Sequence, residues 1–209
     1  IMKLFIKICG ITNFEDAKLA ISFGADALGF MMYEKSPRMI NKKEVSKIIR
    51  KLPKEITKVM VFVNSSSSYV RSCLEVSSSL IPQFHGDESP EFCCSFKRPF
   101  IKAIRVSGKE DLEKISKDFS KSWMLLLDSY NEDSFGGSGK VFNWNYLQKK
   151  VLSTPFLLAG GLTSSNIEKA LSLVSCKGLD VSSGVESSPR KKDPKKLKRF
   201  IDTARRFGG

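Results

Sequence analysis

Two side chains in this 209-residue chain have types and surroundings suited to proton chemistry: Cys9, ending Phe5-Ile6-Lys7-Ile8-Cys9, and Asp128, ending Leu125-Leu126-Leu127-Asp128. A thiol at the end of an apolar run and facing a helix start is in a setting that lowers its pKa and exposes a thiolate as base or nucleophile. The plainer reading is an inert buried thiol. A lone carboxyl after an apolar run is a candidate acid, and a helix cap or surface ion pair is its alternative. His85 is the only histidine. A Ser-His-Asp triad or a multi-histidine metal centre would rest on it entirely, and neither H-E-x-x-H nor a paired C-x-x-C accompanies it, so no metal site is expected. His85 and its neighbour Gln83 either position a ligand or pack locally. Arg38, in Ser36-Pro37-Arg38, is a fork for a carboxylate or a solvated loop charge.

Eight repeats of a short β-rich run followed by a helical pattern must position these groups. The periodicity predicts strands over 3–9, 26–32, 57–63, 80–84, 100–106, 123–128, 155–159 and 178–182. It predicts helices over 13–23, 41–51, 67–77, 88–95, 109–119, 143–150, 164–174 and 194–207. Thr12 with Glu15, Asn41 with Glu44 and Ser165 with Glu168 have capping-box spacing, and Asp193-Pro194 supplies an N-cap and an N1 proline. In the last helix Leu197, Phe200, Ile201 and Ala204 form one stripe, which turns the lysines and arginines outward. Strict alternation with right-handed crossovers leaves an open doubly wound sheet or a closed barrel. No G-x-G-x-x-G follows a strand, and the unit count favours an α/β fold of the (β/α)8 TIM-barrel type, a single compact catalytic domain over 1–209. In such barrels chemistry occupies the C-terminal ends of the strands. Cys9 and Asp128 then end strands three neighbours apart in the ring and face each other across the mouth.

Glycine clusters follow strands 6, 7 and 8: Gly136-Gly137-Ser138-Gly139, Gly160-Gly161 and Ser182-Ser183-Gly184. Each alone is as well explained by a tight turn. Together, at the loops where barrels commonly bind phosphate, they read as a cradle in which main-chain amides approach an anion, with Gly137, Ser138, Gly139, Gly160, Gly161, Ser183 and Gly184 as its candidates. Val141 stands where a P-loop needs Ser or Thr, which argues against an ATPase.

Thirty-five basic against 22 acidic residues leave a net charge of +13, a field that favours anionic partners without choosing among them. A nucleic-acid role would fall to the last helix, yet helix-turn-helix, zinc-finger and RNP-like signatures are missing from the sequence, so none is expected. Apolar runs fall far short of the ~20 residues that span a bilayer, and the first residues read as a strand rather than a leader. Five scattered cysteines with no C-x-x-C argue against a disulfide framework and for a reducing cytoplasm.

The residues that end the strands carry a resemblance. Lys7-Ile8-Cys9-Gly10-Ile11-Thr12, Gly24-Ala25-Asp26-Ala27-Leu28-Gly29-Phe30, Lys35-Ser36-Pro37-Arg38, Val61-Phe62-Val63-Asn64, Gln83-Phe84-His85-Gly86-Asp87-Glu88, Leu126-Leu127-Asp128, Gly136-Gly137-Ser138-Gly139-Lys140, Leu158-Ala159-Gly160-Gly161-Leu162 and Asp180-Val181-Ser182-Ser183-Gly184-Val185-Glu186 occur in order along the whole chain. In this it resembles the phosphoribosylanthranilate isomerases of tryptophan biosynthesis. The resemblance implies a TIM barrel that performs an Amadori rearrangement of a phosphorylated small molecule with no cofactor and no metal. It implies Cys9 as general base, Asp128 as general acid, Arg38 as partner of the anthranilate carboxylate and the glycine loops as phosphate grip. Gln83, His85 and Asp180 are left to orient the sugar. Phe84, Asn143 and Arg190-Lys191 depart from the family's usual residues, and none of these departures removes the proposed acid, base or fork. A related phosphosugar isomerase or epimerase would need much of the same machinery. The sequence leaves monomer or homodimer open.

Overall fold

The computed structural model describes residues 3–129, 143–148 and 150–208. Eight parallel strands close into a barrel in sequence order: β1 (Phe5–Cys9), β2 (Ala27–Met31), β3 (Thr57–Phe62), β4 (Leu80–Phe84), β5 (Ile101–Val106), β6 (Met124–Ser129), β7 (Phe156–Leu158) and β8 (Gly178–Val181). The ring is sealed by β1 against β8, where Lys7 sits opposite Asp180, and against β2, where Cys9 sits opposite Gly29.

Alternation along each strand separates two apolar layers. Side chains such as Ile6, Ile8, Leu28, Phe30, Met60, Phe62, Phe84, Leu125 and Leu127 point outward and pack under the helices. The opposite set, including Met31, Val59, Val61, Ile101, Ala103, Met124, Leu126 and Leu157, fills the barrel interior together with Cys9. Residues of the interior parity nearest the C-terminal ends are therefore presented to the mouth: Lys7 and Cys9 on β1, Gln83 on β4 and His85 just after it, Asp128 on β6 and Asp180 on β8.

The helices are α1 (Phe14–Ser22), α2 (Lys42–Ile49), α3 (Ser67–Leu74), α4 (Pro90–Cys94), α5 (Leu112–Asp118), α6 (Ile167–Leu173) and α7 (Pro194–Phe207). Asn41 caps α2 by accepting from the Glu44 amide, and Asp193 caps α7 through the Lys195 and Lys196 amides, as their spacing predicts. Two expected caps move by one residue. Asn13 rather than Thr12 caps α1, accepting from the Asp16 amide, because Thr12 Oγ1 is engaged with the Arg190 carbonyl. Asn166 rather than Ser165 begins α6, its amide nitrogen donating to the Gly161 carbonyl and its oxygen accepting from the Thr163 amide. Among the described residues of 143–150 the expected helix is a 3-10 turn, Trp144–Leu147, capped by Asn143.

A further element escaped the periodicity. After β8 and a 3-10 turn at Ser183–Val185, β9 (Glu186–Ser188) pairs antiparallel with β10 (Lys191–Lys192), turning through Arg190 at φ 76°. Polar residues fill this hairpin, so no apolar alternation betrays it. It is pinned to the barrel instead, Arg190 Nη1 donating to the Met39 carbonyl at 2.6 Å. Among the described residues no helix is long and apolar enough to cross a membrane.

Candidate active site

The mouth has two sides. On one, β8, β1 and the loop after β2 assemble two sets of buried charges. Lys7 Nζ donates to Asp180 Oδ1 at 2.6 Å, and Lys7 is wholly buried. Its ammonium and the Cys9 sulfur crowd one point: a Cβ on Gly29 would lie 2.7 Å from Cys9 Sγ and 3.1 Å from Lys7 Nζ. Glycine at position 29 is thus a requirement of space. Behind Cys9, Lys192 Nζ donates to the Cys9 carbonyl at 2.6 Å and to Glu186 Oε1 at 2.9 Å. Glu186 in turn grips Arg38, accepting from Nε at 2.9 and 3.0 Å and from Nη2 at 2.7 Å.

Burial pushes the Cys9 thiol above its ordinary pKa. Lys7 and Lys192 pull it down, and Asp180 adds to the rise. The expectation that a strand end facing a helix start lowers this pKa is corrected here: the residue is only 5 % exposed, and desolvation of the thiolate outweighs the local dipoles. Burial also works against the Lys7 ammonium, but Asp180 and Cys9 more than compensate, so its pKa is raised and it stays a cation. Burial outweighs the pull of Glu186 at Lys192 and holds its pKa below the usual value.

On the other side, Gln83 on β4, His85 just after that strand and Asp128 on β6 are all buried. Gln83 Nε2 donates to His85 Nδ1 at 3.1 Å, which in this amide orientation leaves the ring proton on Nε2. That nitrogen lies 3.2 Å from Asp128 Oδ2 without the alignment of a hydrogen bond. Asp128 Oδ1 accepts from the Ser129 amide at 2.8 Å. Between the two sides a recess is lined by Asp128, Asp180, Gly160, Gly161, Ser183 and Gly184, joined by Ser182. Gly160 and Gly161 are both left-handed, at φ 84° and 64°. A Cβ on Gly160 would come 2.5 Å from the Ser129 amide nitrogen and 2.9 Å from Asp128 Oδ1, so this turn packs directly on the carboxyl. Ser182 Oγ is buried and unpartnered among the described residues.

Cys9, Gln83, His85, Asp128 and Asp180 therefore share the C-terminal mouth with Gly160, Gly161, Ser183 and Gly184. Gly137, Ser138 and Gly139 lie outside the described residues. Arg38 is neither a solvated charge nor an empty fork, since an internal carboxylate already holds two of its nitrogens. Lys7, Glu186 and Lys192 were missed as site residues. The signal for Lys7 was present, because it lies two residues before Cys9 and so on the same face of β1. Lys192 stood hidden among Arg190, Lys191 and Lys192 ahead of the last helix, and it is 2 % exposed; within that helix Arg205 is tied to Asp26 Oδ2 at 2.6 Å.

Comparison with known proteins agrees with this architecture. The family model "N-(5'phosphoribosyl)anthranilate (PRA) isomerase" matches residues 6–203. An N-(5'-phosphoribosyl)anthranilate isomerase of Neisseria meningitidis is 43 % identical over 205 residues, covering 98 % of each chain. The crystal structure of phosphoribosyl anthranilate isomerase from Thermotoga maritima superposes with a TM-score of 0.88 at 36 % identity, covering 96 % of this chain and 98 % of that one. Another solved structure, of a phosphoribosyl anthranilate isomerase in complex with reduced 1-(o-carboxyphenylamino)-1-deoxyribulose 5-phosphate, matches at TM-score 0.81 and 33 % identity over 96 % and 98 % of the two chains. With a closed parallel barrel and a full-length match, this chain belongs to the N-(5'-phosphoribosyl)anthranilate isomerase family.

Proposed function

We propose that the chain converts N-(5'-phosphoribosyl)anthranilate to 1-(2-carboxyphenylamino)-1-deoxyribulose 5-phosphate in tryptophan biosynthesis, with Asp128 as general acid and Cys9 as general base. Asp128 gives its proton to the furanose ring oxygen. The C1′–O bond breaks as the anilino nitrogen's lone pair forms the C1′=N bond of a protonated Schiff base. The Cys9 thiolate then takes the C2′ proton, and that C–H electron pair becomes the C1′=C2′ bond while the C=N pair returns to nitrogen. Ketonisation takes up a proton at C1′ and releases the C2′ hydroxyl proton. C2′ ends oxidised and C1′ reduced, so the isomerisation is an intramolecular oxidoreduction that consumes no external electron acceptor.

The observation that carries this assignment is the placement of Cys9 and Asp128 on β1 and β6, both of interior parity at the mouth, with the glycine turns of β7 and β8 lining the recess beside Asp128. Gly160, Gly161, Ser183 and Gly184 would grip the phosphate, and Gly137, Ser138 and Gly139 belong to the same proposal. Arg38 meets the anthranilate carboxylate through Nη1, Glu186 having taken its other edge. Gln83, His85 and Asp180 orient the sugar hydroxyls. The five cysteines are all free, in keeping with a reducing cytoplasm, and a monomer or homodimer acting on a small phosphorylated substrate, with neither nucleic acid nor membrane as partner, completes the reading.

The test is a fluorescence assay that follows consumption of freshly prepared phosphoribosylanthranilate. The wild-type protein should consume it, while Cys9→Ala and Asp128→Asn should each lose about 10²–10⁴-fold in turnover with an unchanged circular dichroism spectrum. A wild-type rate in either variant removes that residue's role, and an inactive wild type removes the reaction.

A further inference from the structure

We propose that Lys7 is the counter-cation that stabilises the Cys9 thiolate when it forms inside the barrel, with Asp180 fixing the ammonium in place. The proposal rests on the reading of Cys9 as the base and names the group that makes that base workable. A lysine of interior parity in the middle of a barrel strand is expensive to bury, and one carboxylate satisfies only one of its three donors. Beside that ammonium lies the Cys9 sulfur, the two converging on the space above Gly29. A neutral thiol is a feeble acceptor, whereas a thiolate beside an ammonium is a strong one, and that contrast gives the Lys7–Cys9 contact its purpose. Gly29 supplies the space for it, since any side chain there would displace sulfur or ammonium.

The charged surroundings of Cys9 come from several elements. Lys7 shares its strand, Asp180 approaches from β8, and Lys192 reaches its carbonyl from β10 with Glu186 and Arg38 behind. The β2 side contributes Gly29 and no charge, and His85 and Asp128 stand across the mouth. Burial drives the thiol toward its neutral form and Lys7 is the largest influence against it. Cations and the anion beside Cys9 therefore act in opposite senses. Removing Lys7 should make the thiolate harder to form, and removing the Asp180 charge should make it easier, because the ammonium then has the sulfur as its sole anionic partner among the groups named.

The experiment titrates the thiolate's ultraviolet absorbance in the intact protein, taking the difference between each protein and the same protein carrying Cys9→Ser. Lys7→Met should raise the Cys9 midpoint by at least about one pH unit, and Asp180→Asn should lower it. Turnover of Lys7→Met should fall about 10²-fold at neutral pH and recover as the solution is made alkaline. A purely structural Lys7 would move both midpoints in one direction or neither, and either result overturns the proposal. Should Lys7→Met fail to fold, Asp180→Asn decides alone: a lowered midpoint supports the proposal and an unchanged or raised one overturns it. If Cys9→Ser itself turns over substrate at the wild-type rate, the base assignment falls. An inactive Cys9→Ser with unshifted midpoints removes the role of Lys7 only.

Discussion

The two sides of the barrel mouth are built on opposite principles. On the β8, β1 and β2 side, short ion pairs form two sets that meet at Cys9, Lys7 with Asp180 and Glu186 with Lys192 and Arg38, and these groups are nearly sealed from water. On the β4 and β6 side, Gln83 Oε1 and His85 Nε2 are buried with no hydrogen-bond partner among the described residues. Buried polar groups are ordinarily paired, so unpaired ones at a mouth mark places where a ligand completes the bonding. The ion pairs of the base side are assembled before substrate arrives, whereas the unpaired atoms of the acid side, together with Ser182 Oγ, are left to be finished by it. The sealed side also carries three cations, Lys7, Lys192 and Arg38, against two anions, Asp180 and Glu186. One more negative charge balances it, and a Cys9 thiolate or a substrate carboxylate supplies that charge.

Damage on the sealed side should therefore cost folding stability, and damage on the open side should cost turnover. The largest effect is expected of Glu186→Ala, which strands Arg38 and Lys192 without their shared carboxylate. Removing one partner from a buried ionic cluster typically costs about 3–5 kcal/mol, so the urea midpoint should fall steeply, and substrate should bind more weakly as Arg38 loses its orientation. A midpoint equal to wild type would show that the cluster is not a unit. Next comes His85→Leu on the open side, which removes the ring beside Asp128. Loss of about 1.5–3 kcal/mol of transition-state stabilisation, roughly 10–150-fold in turnover, should accompany an almost unchanged urea midpoint. An equal loss of stability would erase the distinction between the sides. A third substitution probes the seam at which base and cation meet: Gly29→Ala drives a methyl to 2.7 Å from Cys9 Sγ, and overpacking of that kind costs about 1–3 kcal/mol, read as a lowered melting temperature together with reduced turnover.

How much of this was legible in the sequence follows from what each feature depends on. Strand and helix alternation is a local property, and it predicted the closed barrel and the location of all eight strands. Cys9, Asp128 and the Gly160-Gly161 turn were legible because they sit at the ends of apolar runs, where chemistry and boundary coincide. The buried ion pairs were not. Arg38 meets Glu186 across 148 positions and Lys7 meets Asp180 across 173, separations over which no periodic pattern carries information. The basic stretch around Lys192 reads as a wet face by composition, whereas the hairpin turns one of its lysines inward. The helix expected over 143–150 failed for a local reason: Asn143 caps a short 3-10 turn, and among the described residues there only Trp144 and Leu147 are buried, too few to hold several turns of helix.

The smallest effect is expected where ion pairs of the same chemistry lie at the opposite end of the barrel. Asp26, just before β2, accepts from Lys3 Nζ at 2.7 Å, from Arg205 Nη2 at 2.6 Å and from the Ile6 amide at 2.9 Å, fastening α7 to the start of the sheet. Burial raises the carboxyl's pKa, but the bonds from Lys3, Arg205 and the Ile6 amide together outweigh it and leave the group below its ordinary value. A carboxylate depressed in the folded state adds stability above its unfolded pKa of about 3.9, and loses that contribution as the pH falls through the folded value. Because Lys3 and Arg205 are partly exposed, the pairs are screened, and Asp26→Asn should cost only about 1 kcal/mol at neutral pH. The gap between wild type and variant in urea denaturation should stay level between about pH 5 and 8 and close below about pH 4, with turnover of the variant unchanged. A gap that persists in acid would mean that Asp26 acts through shape rather than charge. A loss of turnover would mean that the two ends of the barrel are coupled, and the contrast drawn at the mouth would then have to include its foundation.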